Sequence, residues 1–146
     1  MIDSMIAAAY RAERKIKAAL GLHQRGVQAI AFAPDGRLIL VSLRYVAGWH
    51  LPGGGVKRRE SARDAVLREM REETGMASFS ALTSLGVFAE ISAGVPTTVE
   101  VFRLDDVELG TARKWNLEVR EVRAWDLAKL PARCGMARRR LQLLGL

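Results

Sequence analysis

Between Ala62 and Glu73, steps of four, three and four residues connect Ala62, Val66, Glu69 and Glu73. Positions so spaced share one stripe of an α-helix. Ala62 and Val66 are apolar and suit a core, yet the same stripe goes on to deliver two carboxylates, and Glu72 stands beside them. Three like charges in that setting repel one another and resist leaving water, with a penalty on the order of several kcal/mol per buried ion. Something positive must accompany them. Arg68 and Arg71 supply part of that charge. A divalent cation supplies it better, because magnesium takes hard oxygen ligands and bridges one or two carboxylates to substrate phosphates while keeping several waters. Just upstream, Pro52-Gly53-Gly54-Gly55 can adopt conformations closed to other residues and approach a ligand closely. Its backbone offers carbonyls to a metal and amides to a phosphate. Loop and helix together read as a site for a metal and a diphosphate.

These groups need elements to hold them. Ser61 followed three residues later by Asp64 resembles a capping box, Ala62 through Glu73 contains no breaker, and Gly75 ends the helix. Before the glycines, Val27 to Ala33 and Leu38 to Leu43 are short apolar runs about Pro34-Asp35-Gly36 and predict a hairpin. Both faces of these runs are apolar, Ala29 and Ala31 against Ile30 and Phe32, so helices must cover the sheet on both sides. Leu82 to Ile91 and Thr97 to Leu104 predict strands with Gly94 and Pro96 marking their turn, and Glu118 to Trp125 predicts another strand. Leu127 to Leu130 reads as a short helical turn stopped by Pro131, and Met136 to Leu144 as a final helix carrying Arg138-Arg139-Arg140. The expected architecture is α/β, with helices around a mixed sheet.

The start of the chain stands apart. From Ile2 to Leu20, the residues Ile2, Met5, Ile6, Ala9, Ile16, Ala19 and Leu20 recur at helical spacing, with Arg11, Arg14, Lys15 and Lys17 elsewhere and Gly21 as a stop. Glu13 is spaced to pair with Lys17, which favours a helix packed on the domain or on a second subunit over one that touches membrane or nucleic acid. Residues 1–22 are therefore read as an amphipathic helix and 23–146 as the domain.

A chain of 146 residues with 49% hydrophobic residues buries one sizeable core and is short for two. A charged fraction of 27% belongs to a folded chain rather than a disordered one. The net charge of +7 should draw polyanions to the surface, RNA among them. Cys134 is alone, so no internal disulfide, zinc cage or redox pair can form. With neither a membrane-length apolar run nor a secretion signal, the cytoplasm is the expected compartment.

Read in order, Gly54, five residues, Glu60, seven residues, Arg68-Glu69-Met70, one residue, Glu72-Glu73, one residue, Gly75 and Met76 resemble a complete Nudix box. Nine positions at fixed spacing are far more specific than a lone glycine-rich loop. The likeness extends to Gly48 through Val56 before the box and to Glu118, Trp125, Leu130 and Pro131 after it, spanning roughly Gln24 to Met136. It implies a Nudix-type α/β/α sandwich. It further implies that Glu69, Glu72 and Glu73 bind magnesium or manganese with the Gly53 carbonyl as an added ligand, and that Glu60 and Arg68 orient the loop and the carboxylates. The implied reaction is hydrolysis of a nucleoside diphosphate linked to another group, by in-line attack of a metal-activated water on phosphorus. Members differ in the general base: Glu69 is one candidate here, Glu118 another, and Glu121 a third if the alignment slips. Where many relatives have an acidic residue and Gly-Glu, this chain has Lys57-Arg58-Arg59-Glu60, basic residues that either contact an anionic substrate or form a solvated loop.

Outside the box, signals are weaker. Trp49 and Trp125 read as core or rim, Trp115 after Arg113-Lys114 as a candidate for stacking on a base, and His23, His50 and Cys134 as ordinary residues. Three readings stay open: a hydrolase of small nucleotide derivatives, a pyrophosphohydrolase of RNA ends, and a nucleotide-sensing domain without turnover. The helix at the start leaves a homodimer open as well.

Overall fold

A computed structural model describes residues 1–110 and 117–146. In chain order the elements are α1 (Ile2–Ala19), β1 (Gln24–Ala31), β2 (Leu38–Leu43), β3 (Trp49–His50), β4 (Gly53–Gly55), α2 (Ala62–Thr74), β5 (Met76–Ser78), β6 (Ala81–Ser92), β7 (Val95–Asp105), β8 (Glu108–Leu109) and β9 (Val119–Trp125). A 3-10 turn (Leu127–Lys129) and α3 (Gly135–Leu143) close the list.

The two apolar runs near the start meet at the expected tight turn, where the Ala33 amide donates to the Arg37 carbonyl (2.9 Å) and Gly36 takes a positive φ of 85°. They do not continue as a hairpin. Beyond one bridge between Phe32 and Leu38 they part into different sheets. β1 lies parallel to β7 from Gln24–Thr97 to Ala31–Leu104 and antiparallel to β4, and β6 completes the order β4-β1-β7-β6. β2 sits between β3 and β9 in an antiparallel sheet. A strand apolar on both faces must be flanked and covered on both sides, and separate sheets give each run two neighbours. Pro96 likewise lies within β7, opposite Ile91, while the turn itself is made by Ala93 and Gly94. β1 begins to pair only at Thr97, so the proline falls outside its ladder.

Helices cover both sides, as the apolar pattern requires. Ala65, Val66, Leu67 and Met70 of α2 pack with Val27, Ala29, Ala31 and Ile39 on one side. Ala137 and Leu141 of α3 pack with Ile30, Phe32, Leu38, Leu40 and Val101 on the other. The result is an α/β fold with a mixed sheet between helices. Among the described residues no helix is long and apolar enough to cross a membrane.

Arg140, in the basic run of α3, turns inward. Its side chain is only 8% exposed. Nη2 donates to Glu90 Oε2 (2.7 Å) and Nε to Gln28 Oε1 (2.9 Å), while Arg138 and Arg139 stay exposed. Arg140→Ala is expected to lower the unfolding free energy by about 2–3 kcal/mol, because two partners lose their charge-assisted donor in a partly desolvated place. Arg139→Ala should stay within about 0.5 kcal/mol. Urea denaturation of both variants checks the difference.

The helix at the start docks on the domain through a mixed, largely polar face. Asp3, Ile6, Tyr10, Arg14 and Lys17 turn toward the body, whereas Ile2, Met5, Ile16 and Leu20 are exposed. Specific polar partners decide this. Arg14 donates to the Gln24 side chain and to the Ser92 carbonyl, and Asp3 accepts from Arg44 and Arg120. Glu13 and Lys17 form the expected pair at 2.5 Å.

Candidate active site

The helix that carries the carboxylates is held at both ends. Ser61 Oγ accepts the Asp64 amide (3.1 Å), and Gly75 closes the helix at φ 72°. Its apolar residues Ala65, Val66 and Met70 are buried, and this anchors the face from which Glu69 and Glu73 project. Burial of about three such side chains contributes on the order of several kcal/mol, which holds the acidic stripe where charge alone would not place it.

The glycine run ahead of the helix is itself a strand. β4 pairs with β1 through Gly53–Gln28, Gly54–Val27 and Gly55–Gly26. Backbone keeps Gly53 a glycine, and a side chain at Gly54 would displace the Glu69 carboxylate. A Cβ on Gly53 would lie 2.3 Å from the Val27 carbonyl oxygen, and one on Gly54 would lie 2.3 Å from Glu69 Oε1. Backbone and carboxylate therefore touch directly.

Glu73 is 2% exposed, and its Oε2 accepts the Gly53 amide at 3.0 Å. Burial first, then repulsion from Glu69, raises its carboxyl well above the usual range. Glu69, with its side chain 13% exposed, is also raised by burial, and its contact with Arg68 opposes that shift. Glu72 lies off the stripe, its side chain 47% exposed.

Arg68 joins the parts. Nε and Nη2 donate to both oxygens of Glu60 (2.8 and 2.9 Å), Nη2 also to the Gly55 carbonyl (2.9 Å), and Nη1 to Glu69 Oε1 (2.9 Å) and Glu72 Oε2 (3.4 Å). Glu60 accepts the Lys57 amide as well (3.0 Å). Held chiefly by Arg68, its carboxyl drops to about 2. One guanidinium thus ties the glycine strand, the loop and two of the helix carboxylates together. In this arrangement no three acidic, imidazole or thiol side chains among the described residues converge closely enough to enclose an ion. Glu72 is half-exposed, and its Oε2 meets the same Arg68 nitrogen that holds Glu69.

Glu118 lies just before β9, where its carbonyl accepts the Arg44 amide (2.8 Å). Its carboxyl is raised by desolvation, then by repulsion from Glu72 and from Glu13 of α1. Glu118 therefore shares the electric field of the helix carboxylates. Glu121 sits opposite Ser42 and pairs with Arg123 at 2.5 Å. Lys57, Arg58 and Arg59 are exposed on the loop. Trp49 and Trp125 pack edge to face at 5.2 Å, His23 meets Thr98 Oγ1 (2.8 Å), and His50 meets the Ala47 carbonyl (3.0 Å). Cys134 is buried in the core. Trp115, with Arg113 and Lys114, lies outside the described residues.

One feature had no signal in local spacing. Tyr45, in the loop between β2 and β3, stacks on Tyr10 of α1 with ring centroids 4.5 Å apart and planes at 29°. The partners are far apart in sequence, and only the sharing of one helix face by Asp3, Tyr10 and Arg14 hints at a docked polar stripe.

Comparison with known proteins places these features in a family. The model of the NUDIX domain matches residues 22–141. A curated relative from Bacillus subtilis (strain 168), named "Putative 8-oxo-dGTP diphosphatase", is 39% identical over 54 residues, or 37% of this chain and 36% of that protein. The chain thus matches about a third of that relative's length. A solved MutT NUDIX hydrolase from Burkholderia pseudomallei is similar with a TM-score of 0.72 and 25% identity, covering 86% of this chain and 99% of that one. A bifunctional NMN adenylyltransferase/ADP ribose pyrophosphatase from Francisella tularensis, solved with AMP and a manganese ion, has a TM-score of 0.62 and 20% identity. That likeness covers 95% of this chain and 42% of the other, and it bears on fold alone.

Proposed function

The chain belongs to the NUDIX family, and on that premise we propose that it is a divalent-metal-dependent pyrophosphohydrolase acting on a nucleoside diphosphate derivative. The observation that carries this reading is the buried pair Glu69 and Glu73, both destabilised as anions by burial, set directly against the glycine strand. Such a donor set suits a hard cation.

In this proposal Glu69, Glu72 and Glu73 hold magnesium or manganese, with the Gly53 carbonyl as a further ligand. When bound there, the cation acidifies a water and neutralises charge on the bridging oxygens. Gly54 and Gly55 let the backbone come close to the phosphates. Arg68, clamped by Glu60, fixes the direction of Glu69 and restrains Glu72. The exposed Lys57, Arg58 and Arg59 favour an anionic substrate, with triphosphorylated RNA a second class that their charge supports.

Glu118 is proposed as the general base. Glu69 is held by Arg68 and assigned to the metal, and Glu121 is paired with Arg123. Desolvation and repulsion make the Glu118 carboxylate more basic. Glu118→Gln is expected to lower kcat by about 10²-fold with KM and metal affinity little changed. It should also flatten the acid limb of the pH–rate profile. Loss of metal affinity instead would assign Glu118 to the ligand set.

The test of the reading is a substrate screen in the presence of magnesium. Nucleoside diphosphate derivatives, dinucleoside polyphosphates, nucleoside triphosphates and triphosphorylated RNA form the panel. Turnover of one class names the substrate. Tight binding of metal and nucleotide without turnover of any class would point to a sensing domain and sink the hydrolase reading.

A further inference from the structure

We propose that α1 belongs to the substrate site, with Tyr45, backed by Tyr10, forming the platform on which the base of the nucleoside diphosphate stacks. This rests on the pyrophosphohydrolase reading above and deepens it by assigning the part of the site that recognises the nucleoside.

The Arg44 amide is bonded to the Glu118 carbonyl (2.8 Å), so Tyr45 follows immediately after the residue bonded to the proposed base. The Tyr45 hydroxyl is raised by burial and then by the charges of Glu118 and Glu73, with Tyr10 and Glu69 contributing. It therefore stays a neutral phenol, and its ring lies within the field of the carboxylates assigned to the metal and to the base.

The Tyr45 ring is backed by Tyr10 at 4.5 Å, and the Arg14 guanidinium lies 6.0 Å from the Tyr10 ring centre. Arg14 is itself fixed to Gln24 and Ser92. Asp3, one end of the same helix face, clamps Arg44 and Arg120 beside the loop. Tyr10 thus touches the Tyr45 ring itself, while Asp3 holds its neighbour Arg44 and Arg14 lies beside the Tyr10 ring. A rigid aromatic face binds any base by stacking, without needing a particular hydrogen-bond pattern.

α1 also lies outside the matched family region. The family match begins at residue 22, so the helix is not part of the frame that carries the chemistry. An element added to that frame and latched beside its mouth suits recognition of the leaving or retained nucleoside. Tyr45 is then a binding residue, and Tyr10 acts through it as a positioning residue.

Calorimetric binding of a nucleoside monophosphate and of inorganic pyrophosphate to full-length Tyr45→Leu, Tyr45→Phe and Tyr10→Leu, with magnesium, tests the proposal alongside steady-state kinetics. Tyr45→Leu is expected to weaken the nucleoside monophosphate roughly tenfold or more, the effect of losing one stacked aromatic face. Pyrophosphate affinity should be unchanged, and KM should rise with kcat within about threefold. Tyr45→Phe should match the native protein, and Tyr10→Leu should repeat the signature at smaller size. Equal weakening of both ligands, or of neither, would overturn the proposal. If Tyr45→Leu does not fold, Tyr10→Leu on the helix surface carries the same comparison. Binding is read without turnover, so an inactive protein would count against the hydrolase reading and leave this inference separately tested.

Discussion

Glu73→Gln is expected to lower kcat by at least two orders of magnitude and, in the absence of divalent metal, to raise the melting temperature. Both effects come from one geometry. Glu73 is buried at 2% exposure and accepts the Gly53 amide, while burial and Glu69 oppose its charge. Glutamine has nearly the same shape and its amide oxygen can keep the bond to Gly53. What it removes is a buried negative charge that the fold tolerates poorly and that a cation requires. Activity and stability should therefore move in opposite directions. Steady-state kinetics and thermal melts of the purified variant check the pair of effects. Near-native activity would show that Glu73 serves the fold only.

Metal-free protein should lose stability as pH rises from about 5 to 8, and a saturating concentration of magnesium should reverse that loss. The sign follows from the direction of the shifts. Glu69 and Glu73 have folded-state carboxyls raised above their unfolded values. Their stabilising contribution is complete below the unfolded pKa and is lost as pH climbs through the raised folded value, since the unfolded chain then releases protons more readily. Glu60 runs the other way. Its folded carboxyl is held to about 2, so its contribution is lost only as acid approaches that value and is constant over the window tested. A cation that binds only the folded, ionised carboxylates adds about 2.7 kcal/mol at a hundred times its dissociation constant. For a domain of this size that is roughly 5–10 °C in Tm. Thermal melts at pH 5, 6, 7 and 8, with magnesium and with chelator, measure it. A metal-free Tm that rises across this range would contradict the assignment of buried anions.

How much of this was legible in the sequence depends on how local the cause is. The helix Ala62–Thr74 was readable because its periodicity, its Ser61 cap and its Gly75 stop are all within one segment, and the burial of Glu73 followed from the stripe it shares with Val66. The glycine strand was not, since three glycines have no side chains to show a strand period, and β4 exists through its pairing with β1. The turn at Pro34-Asp35-Gly36 was correct and the hairpin was not. A tight turn fixes its own residues, whereas the choice between one sheet and two depends on β7 and β9, far along the chain. Which face of α1 docks was not legible for a similar reason. Its apolar stripe argued for burial, but Asp3, Tyr10 and Arg14 meet partners at Arg44, Tyr45, Arg120 and Ser92 that no local pattern reveals. Glu118 was placed by likeness, and the structure brings it into the field of Glu72, while Glu121 is engaged with Arg123.

A metal-dependent attack of water on a diphosphate is the chemistry these carboxylates are proposed to serve. It is tested most directly by running the best substrate from the screen in ¹⁸O-labelled water, once with magnesium and once with excess chelator, and weighing the products. One labelled oxygen is expected in one of the two phosphate products, with turnover lost on chelation. Undiminished turnover with chelator, or products whose phosphates carry no label, would contradict it.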